Sequence, residues 1–160
     1  MNIKFYIMIT LNNIENVQKE WGDSLVKLGS LKSNKEACNN EAESLINRLY
    51  GYNNGTVLFK PTKAKDNQFR LTFEGAKSYF IGENSNFSED KGFALQPWTN
   101  VRFENASVVL KKDSAIAMGN YFFTENNGNE VKVEYTFGYF LSEKKNLKIN
   151  LHHSSLPFNP

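Results

Sequence analysis

Two adjacent histidines and the two serines after them are the residues best able to do chemistry in this chain. They close the run Leu147-Lys148-Ile149-Asn150-Leu151-His152-His153-Ser154-Ser155. The run alternates apolar and polar up to Leu151, then puts imidazole and hydroxyl where the apolar set would continue. Side chains i and i+2 of a strand share a face. Leu147, Ile149 and Leu151 therefore share theirs with His153 and Ser155. A face that turns from aliphatic to imidazole and hydroxyl reads as the wall of a polar-bottomed pocket. Imidazole titrates near neutrality, so it can accept or relay a proton there. Burial of the three aliphatic side chains, ~1.5–3 kcal/mol each, is expected to fix the register. His152 and Ser154 then point outward unless a bulge intervenes.

The same residues argue against a metal. Neighbours on a strand face opposite ways, so His152 and His153 cannot hold one ion without a bulge. A catalytic zinc uses three protein ligands. With two histidines and Cys38 as the only cysteine, a His-only site is out of reach within one chain, leaving a His-plus-carboxylate arrangement open. One cysteine also excludes an internal disulfide and a thiolate cluster. Cys38 falls in an amphipathic pattern and is expected to be a small buried apolar residue. No metal and no cofactor are expected. Nor is there a nucleophile elbow, a phosphate-binding glycine loop or a paired-cysteine motif. Ser24 and Asp23, beside Trp21, have no catalytic context.

The elements that must position these residues are legible in the pattern. A length of 160 residues suits one domain with a substantial core. Thirteen Phe and seven Tyr favour strands around a wide aromatic interior. Ile14, Val17, Trp21, Leu25 and Leu28 carry helical spacing, and Gly29 would end that helix. A second helix from about Asn34, capped by Ser33 or Asn34, carries Cys38, Ala42, Leu45 and Leu49. Turn residues 51–55 precede a short strand, Thr56–Lys60, stopped by Pro61. Thr72 caps a third, short helix through Phe73, Ala76, Lys77 and Phe80, and Gly82 to Gly92 is a polar loop. Four long strands follow, Val101–Leu110, Ala115–Thr124, Val131–Leu141 and Leu147–Ser155, as a meander of hairpins. Helices first and a meander afterwards make the fold class α+β, a curved antiparallel sheet wrapped on the N-terminal helices as a cone with an open mouth. Such an interior is a natural small-molecule site. Tyr121, Tyr135 and Tyr139 alternate along their strands. Core packing is the first expectation for each, and Tyr121 and Tyr135 are the two placed against a substrate.

Charge and hydropathy narrow the partners. A net charge of +2, scattered apart from pairs such as Lys111-Lys112 and Lys144-Lys145 at hairpin tips, does not argue for nucleic acid. No stretch approaches the ~20 apolar residues of a membrane span. The division expected is an N-terminal segment, residues 1–12, and one domain over 13–160. The apolar run Phe5 to Ile9 is shorter than the ~7–15 residues of a signal-peptide core. Location is read as cytoplasmic from the sequence as given, or periplasmic or secreted if residues 1–12 are a clipped, vestigial export signal.

Four pieces in order carry a resemblance. They are a helix bearing a Trp, Leu58-Phe59-Lys60-Pro61-Thr62, Ser78-Tyr79-Phe80, and Tyr135-Thr136-Phe137 followed by His152-His153-Ser154-Ser155-Leu156-Pro157. The chain resembles the NTF2-like/SnoaL-like superfamily over most of its length from about Asn13. Within it, the likeness is to the branch related to the calcium/calmodulin-dependent kinase II association domain, which includes the iota-class carbonic anhydrases. The resemblance implies a pocket lined by a Thr, a Tyr and a Ser, in an enzyme some of whose relatives work without metal. Those positions are Thr62, Tyr79 and a serine of the final motif, and alternation selects Ser155, with His153 beside it. This ring of hydroxyls and one imidazole would bind a bicarbonate-like ligand or orient a water for attack on carbon dioxide, with the imidazole as proton acceptor. Kinship with an association domain implies a homodimer or higher homo-oligomer.

The segment Asn84 to Trp98, notably Gly92 to Trp98, departs from that branch as an insertion without an assigned role. A non-catalytic ligand-binding or oligomerisation module of the same fold is the alternative reading. Phosphoribosyl-AMP cyclohydrolase, whose chemistry uses a cysteine-rich metal site, ranks low on one Cys and two His.

Overall fold

Capping and amphipathicity build the helices the sequence announces. The computed structural model describes residues 8–96 and 98–160; residues 1–7, most of the segment read as a vestigial export signal, and Pro97 lie outside them. Helix α1 (Leu11–Ser30) starts at Thr10, whose side chain accepts from the Asn13 amide while the Asn13 side chain accepts from the Thr10 amide. It buries Ile14, Trp21, Leu25 and Leu28. Helix α2 (Lys35–Leu49) is capped by Asn34 and buries Cys38, Ala42, Leu45 and Leu49. After the short strand β1 (Leu58–Lys60), Thr72 caps helix α3 (Phe73–Ile81). Two 3₁₀ turns, Ser85–Phe87 and Phe93–Leu95, interrupt the segment read as a polar loop and insertion. Then come β2 (Asn100–Leu110), β3 (Ser114–Thr124), β4 (Glu130–Leu141) and β5 (Leu147–Ser155).

The five strands form one sheet in the order β1-β5-β4-β3-β2. The α+β class is as expected, but the sheet is mixed rather than wholly antiparallel. Strand β1 pairs parallel with β5, aligning Phe59 with His152 and Lys60 with His153. A parallel pair needs a crossover, and the long path through α3 and the strands β2 to β4 supplies one. Helix α1 lies across β2, and α2 reaches β5. The inner face of the sheet meets them through rings: Trp21 sits among Phe80, Phe103, Tyr121, Phe123 and Phe137.

One irregularity decides which side chains of β5 face the interior. In β5, Ile149 pairs with Tyr139 and Leu151 with the adjacent Gly138, so Asn150 is an extra residue. This is a β-bulge, and it exchanges the two faces of the strand beyond it. Ile149 is buried, Leu151 is turned outward and half-buried, and His152 and Ser154 take the inner positions. Gly138 makes room for it. A Cβ there would come within 2.9 Å of the Leu151 Cβ and 3.0 Å of the Asn150 side chain.

Candidate active site

The bulge corrects the sequence reading of the final motif by one residue. His153 is exposed on the outer face, and Ser155 donates to the Glu134 carboxylate at 2.9 Å, also outside. Neither reaches the interior. His152 and Ser154 do, at 2% and 1% exposure. The alternation rule is sound on either side of Asn150; the error is in carrying it across.

Around His152 the side chains form one continuous run of hydrogen bonds. The Trp21 indole N–H donates to the Tyr50 oxygen at 2.9 Å, and that hydroxyl lies 2.8 Å from His152 Nδ1. An indole is only a donor, so Tyr50 accepts from it and has one hydrogen left to give. Giving it to Nδ1 satisfies every group, and it fixes the proton of the neutral ring on Nε2. Nε2 lies 3.0 Å from Ser154 Oγ and 3.3 Å from the Tyr121 hydroxyl, which themselves touch. His152 therefore donates toward Ser154, and Ser154 keeps its own hydrogen for another acceptor. Burial, with a minor contribution from His153, pushes the His152 pKa well below the ordinary imidazole value. Phe59 stacks on the ring at 4.5 Å and Phe137 meets it edge-on at 4.1 Å, so no water reaches its faces.

The other half of the cluster comes from the β1–α3 connection. Thr62, just past Pro61, is half-buried, and its side chain lies near enough to the phenols of Tyr79 and Tyr121 to oppose part of the effect of burial on both. Tyr79, from the last turn of α3, is 5% exposed, and its oxygen accepts the Lys63 amide at 3.3 Å. Burial holds both phenols above the ordinary tyrosine range, so both stay protonated donors. Tyr79 also lines a cleft of about 280 Å³ with Lys63, Gly92, Phe93 and Gln96.

The structure thus brings Thr62, Tyr79 and Tyr121 together, with His152 and Ser154 in place of His153 and Ser155. Tyr135 packs beside Tyr121 at 5.1 Å but spends its hydroxyl on Asn105 at 2.6 Å, away from the cluster. Tyr139 is buried, and among the described residues its hydroxyl has no hydrogen-bond partner. Tyr50 was missed from sequence; it follows α2 directly, and no local pattern marks it. Among the described residues, no group of three or more His, Cys, Asp or Glu is gathered where it could hold a metal ion. No helix there is long and apolar enough to cross a membrane.

A family model described as metal-independent carbonic anhydrase matches residues 12–156. A metal-independent carbonic anhydrase from Nostoc sp. (strain PCC 7120 / SAG 25.82 / UTEX 2576) is 39% identical over 153 residues, covering 94% of this chain and 75% of the relative. The crystal structure of an iota-carbonic anhydrase from a cyanobacterium, complexed with bicarbonate, matches with a TM-score of 0.92 and 38% identity, over 96% of this chain and 95% of that one. A structure described as a calcium/calmodulin-dependent protein kinase II association domain, from Xanthomonas campestris, shares the fold at a TM-score of 0.58 and 22% identity, over 96% and 97% of the two chains.

Proposed function

The chain belongs to the metal-independent carbonic anhydrase family, and from that premise we propose that it interconverts carbon dioxide and bicarbonate among Thr62, Tyr79, Tyr121 and Ser154. What carries this reading is one arrangement: four uncharged hydroxyls converge on a buried spot, and the imidazole beside them is a fixed donor. Carbon dioxide is apolar, and the aromatic walls suit it. As a water oxygen bonds to its carbon, a C=O π pair moves onto oxygen and negative charge develops there. Preset O–H donors stabilise such charge without reorganising. The water's proton leaves along the hydroxyls toward Tyr79 and the cleft, and bicarbonate remains.

His152 is not the base in this scheme. Its Nδ1 is occupied by Tyr50, and its Nε2 already bears the hydrogen. Its role is to hold Ser154 with the hydroxyl hydrogen aimed at the ligand. The experiment is a stopped-flow assay of carbon dioxide hydration with and without chelator. Hydration that survives the chelator is the expected result, and no rate above buffer in either arm overturns the reading.

We also propose that the protein is a homodimer or larger homo-oligomer. An apolar row crosses the outer sheet face: Val109 opposite Ile116, then Gly138 and Leu151, with Val109 and Ile116 at 55% and 49% exposure. A second copy of that face would cover it. Light scattering after size exclusion measures the mass, and Ile116→Lys is expected to reduce it to that of one chain.

A further inference from the structure

The segment 84–98, read from sequence as an insertion of unassigned role, carries two carboxylates that tie down the chain beside the hydroxyl cluster. Its Glu89 carboxylate accepts three successive backbone amides, Lys65 at 2.8 Å, Asp66 at 3.1 Å and Asn67 at 2.8 Å. These belong to the connection that begins with Thr62 and Lys63. The next residue, Asp90, is paired with Arg70, which has no exposed surface. Arg70 Nη1 and Nη2 donate to the two Asp90 oxygens at 2.5 and 2.8 Å. The same guanidinium donates through Nε to the Asn67 carbonyl at 2.8 Å and through Nη1 to the Gly75 carbonyl at 3.3 Å, and Nη2 reaches Glu89 at 3.4 Å. Asp90 also accepts from Ser78, the neighbour of Tyr79, at 2.6 Å.

Three pieces of chain are thus tied at one point: the Thr62 connection, the start and middle of α3, and 82–98. The segment then turns at Gly92, whose φ of 78° is left-handed, and lays Phe93 flat on the Tyr79 ring at 5.4 Å and 15°. A side chain at 92 would press on Ile81 and Leu95, so the turn and the stack come together.

We propose that Glu89 and Asp90 are positioning residues for the reaction: through the amides of 65–67 and through Arg70 they hold Thr62 and Tyr79 against Tyr121 and Ser154. This rests on the carbonic anhydrase reading. Neither carboxylate needs to touch substrate. Of the two hydroxyls that come from outside the sheet, Tyr79 is carried by α3, whereas Thr62 sits on backbone that no helix or strand holds, so its pinning comes from side chains. Displacing a reacting group by about 1 Å costs on the order of a hundredfold in rate.

The test uses Glu89→Gln, which keeps the shape and loses the charge and one acceptor oxygen. Glu89→Asp is the second variant should the first not fold, and surface Glu134→Gln is the control. Hydrogen exchange at the 65–67 amides, melting temperature, and kcat and KM for carbon dioxide hydration are measured together. In Glu89→Gln, exchange at those amides is expected to speed up at least about tenfold. Its kcat is expected to fall about tenfold with KM little changed, as for an interaction needed only in the transition state. The control is expected to match the wild type. Faster exchange with unchanged kcat and KM would make the clamp structural only and overturn the proposal. Unchanged exchange would remove the clamp itself. A wild type without hydration activity would end the function reading instead, and the proposal with it.

Discussion

A histidine that cannot take up a proton is a poor base but a good anchor, and that distinction sets the predictions for single side chains. Ser154→Ala removes the hydroxyl that His152 aims and is expected to lower kcat/KM about a hundredfold. Ser155→Ala, which cuts only a surface bond to Glu134, should leave the rate near wild type. Steady-state hydration kinetics on the two variants check both, and equal losses would put the site on the wrong face. Because His152 stays neutral, kcat is expected to show no inflection near pH 6.5 between pH 6 and 8.5. The Tyr139 hydroxyl is buried without a partner among the described residues, and leaving such a group unpaired costs about 1–3 kcal/mol. Tyr139→Phe is therefore expected to stabilise the fold by about 1 kcal/mol, read by denaturant melts.

The deciding element is a strand with one residue too many. Helix spacing and the caps at Asn34 and Thr72 were legible because each is a local interaction between residues three apart. The meander was legible because its turns are short and polar. The parallel docking of β1 on β5 was not, since it joins segments far apart in sequence and leaves no local trace. The faces of β5 were misread because a bulge belongs to a pair of strands rather than to one. Even so, Gly138 was a usable signal on the partner strand, since an isolated glycine inside a strand pattern marks a bulge or a close approach. Gly138→Val sets a side chain against Leu151 and Asn150. It is expected to lower the melting temperature by several degrees and to abolish hydration together, as a shift of 1 kcal/mol moves Tm by about 2–4 °C in a domain of this size. Wild-type melting and rate in this variant would show that the bulge does not depend on the glycine. Thr62 and Tyr79 entered the proposed site through the family resemblance. What brings them together, Glu89 and Asp90 from a segment with no pattern of its own, was not readable.

For the molecule as a whole, the same imidazole ties stability to acidity. Folded His152 has its pKa depressed below that of the unfolded chain, so the unfolded state binds the extra proton as pH falls. Its contribution is complete above about pH 6.5 and is lost below it, by at most about 1.4 kcal/mol per pH unit. Denaturant unfolding between pH 7 and 5 measures that slope, and His152→Gln is expected to flatten it. The strand order has a consequence for how the protein is born. Strand β5 lies between β1 and β4, so the first strand made has no neighbour until the last has been translated. Ribosomes add about 5–20 residues per second, and through that interval β1 waits as an unpaired edge. Throughout it Thr62 and Tyr79 already exist, but Ser154 and His152 do not. With the site proposed above, a nascent chain stalled anywhere in the meander is silent, and catalysis begins only when the strand that closes the sheet also delivers the groups that finish it.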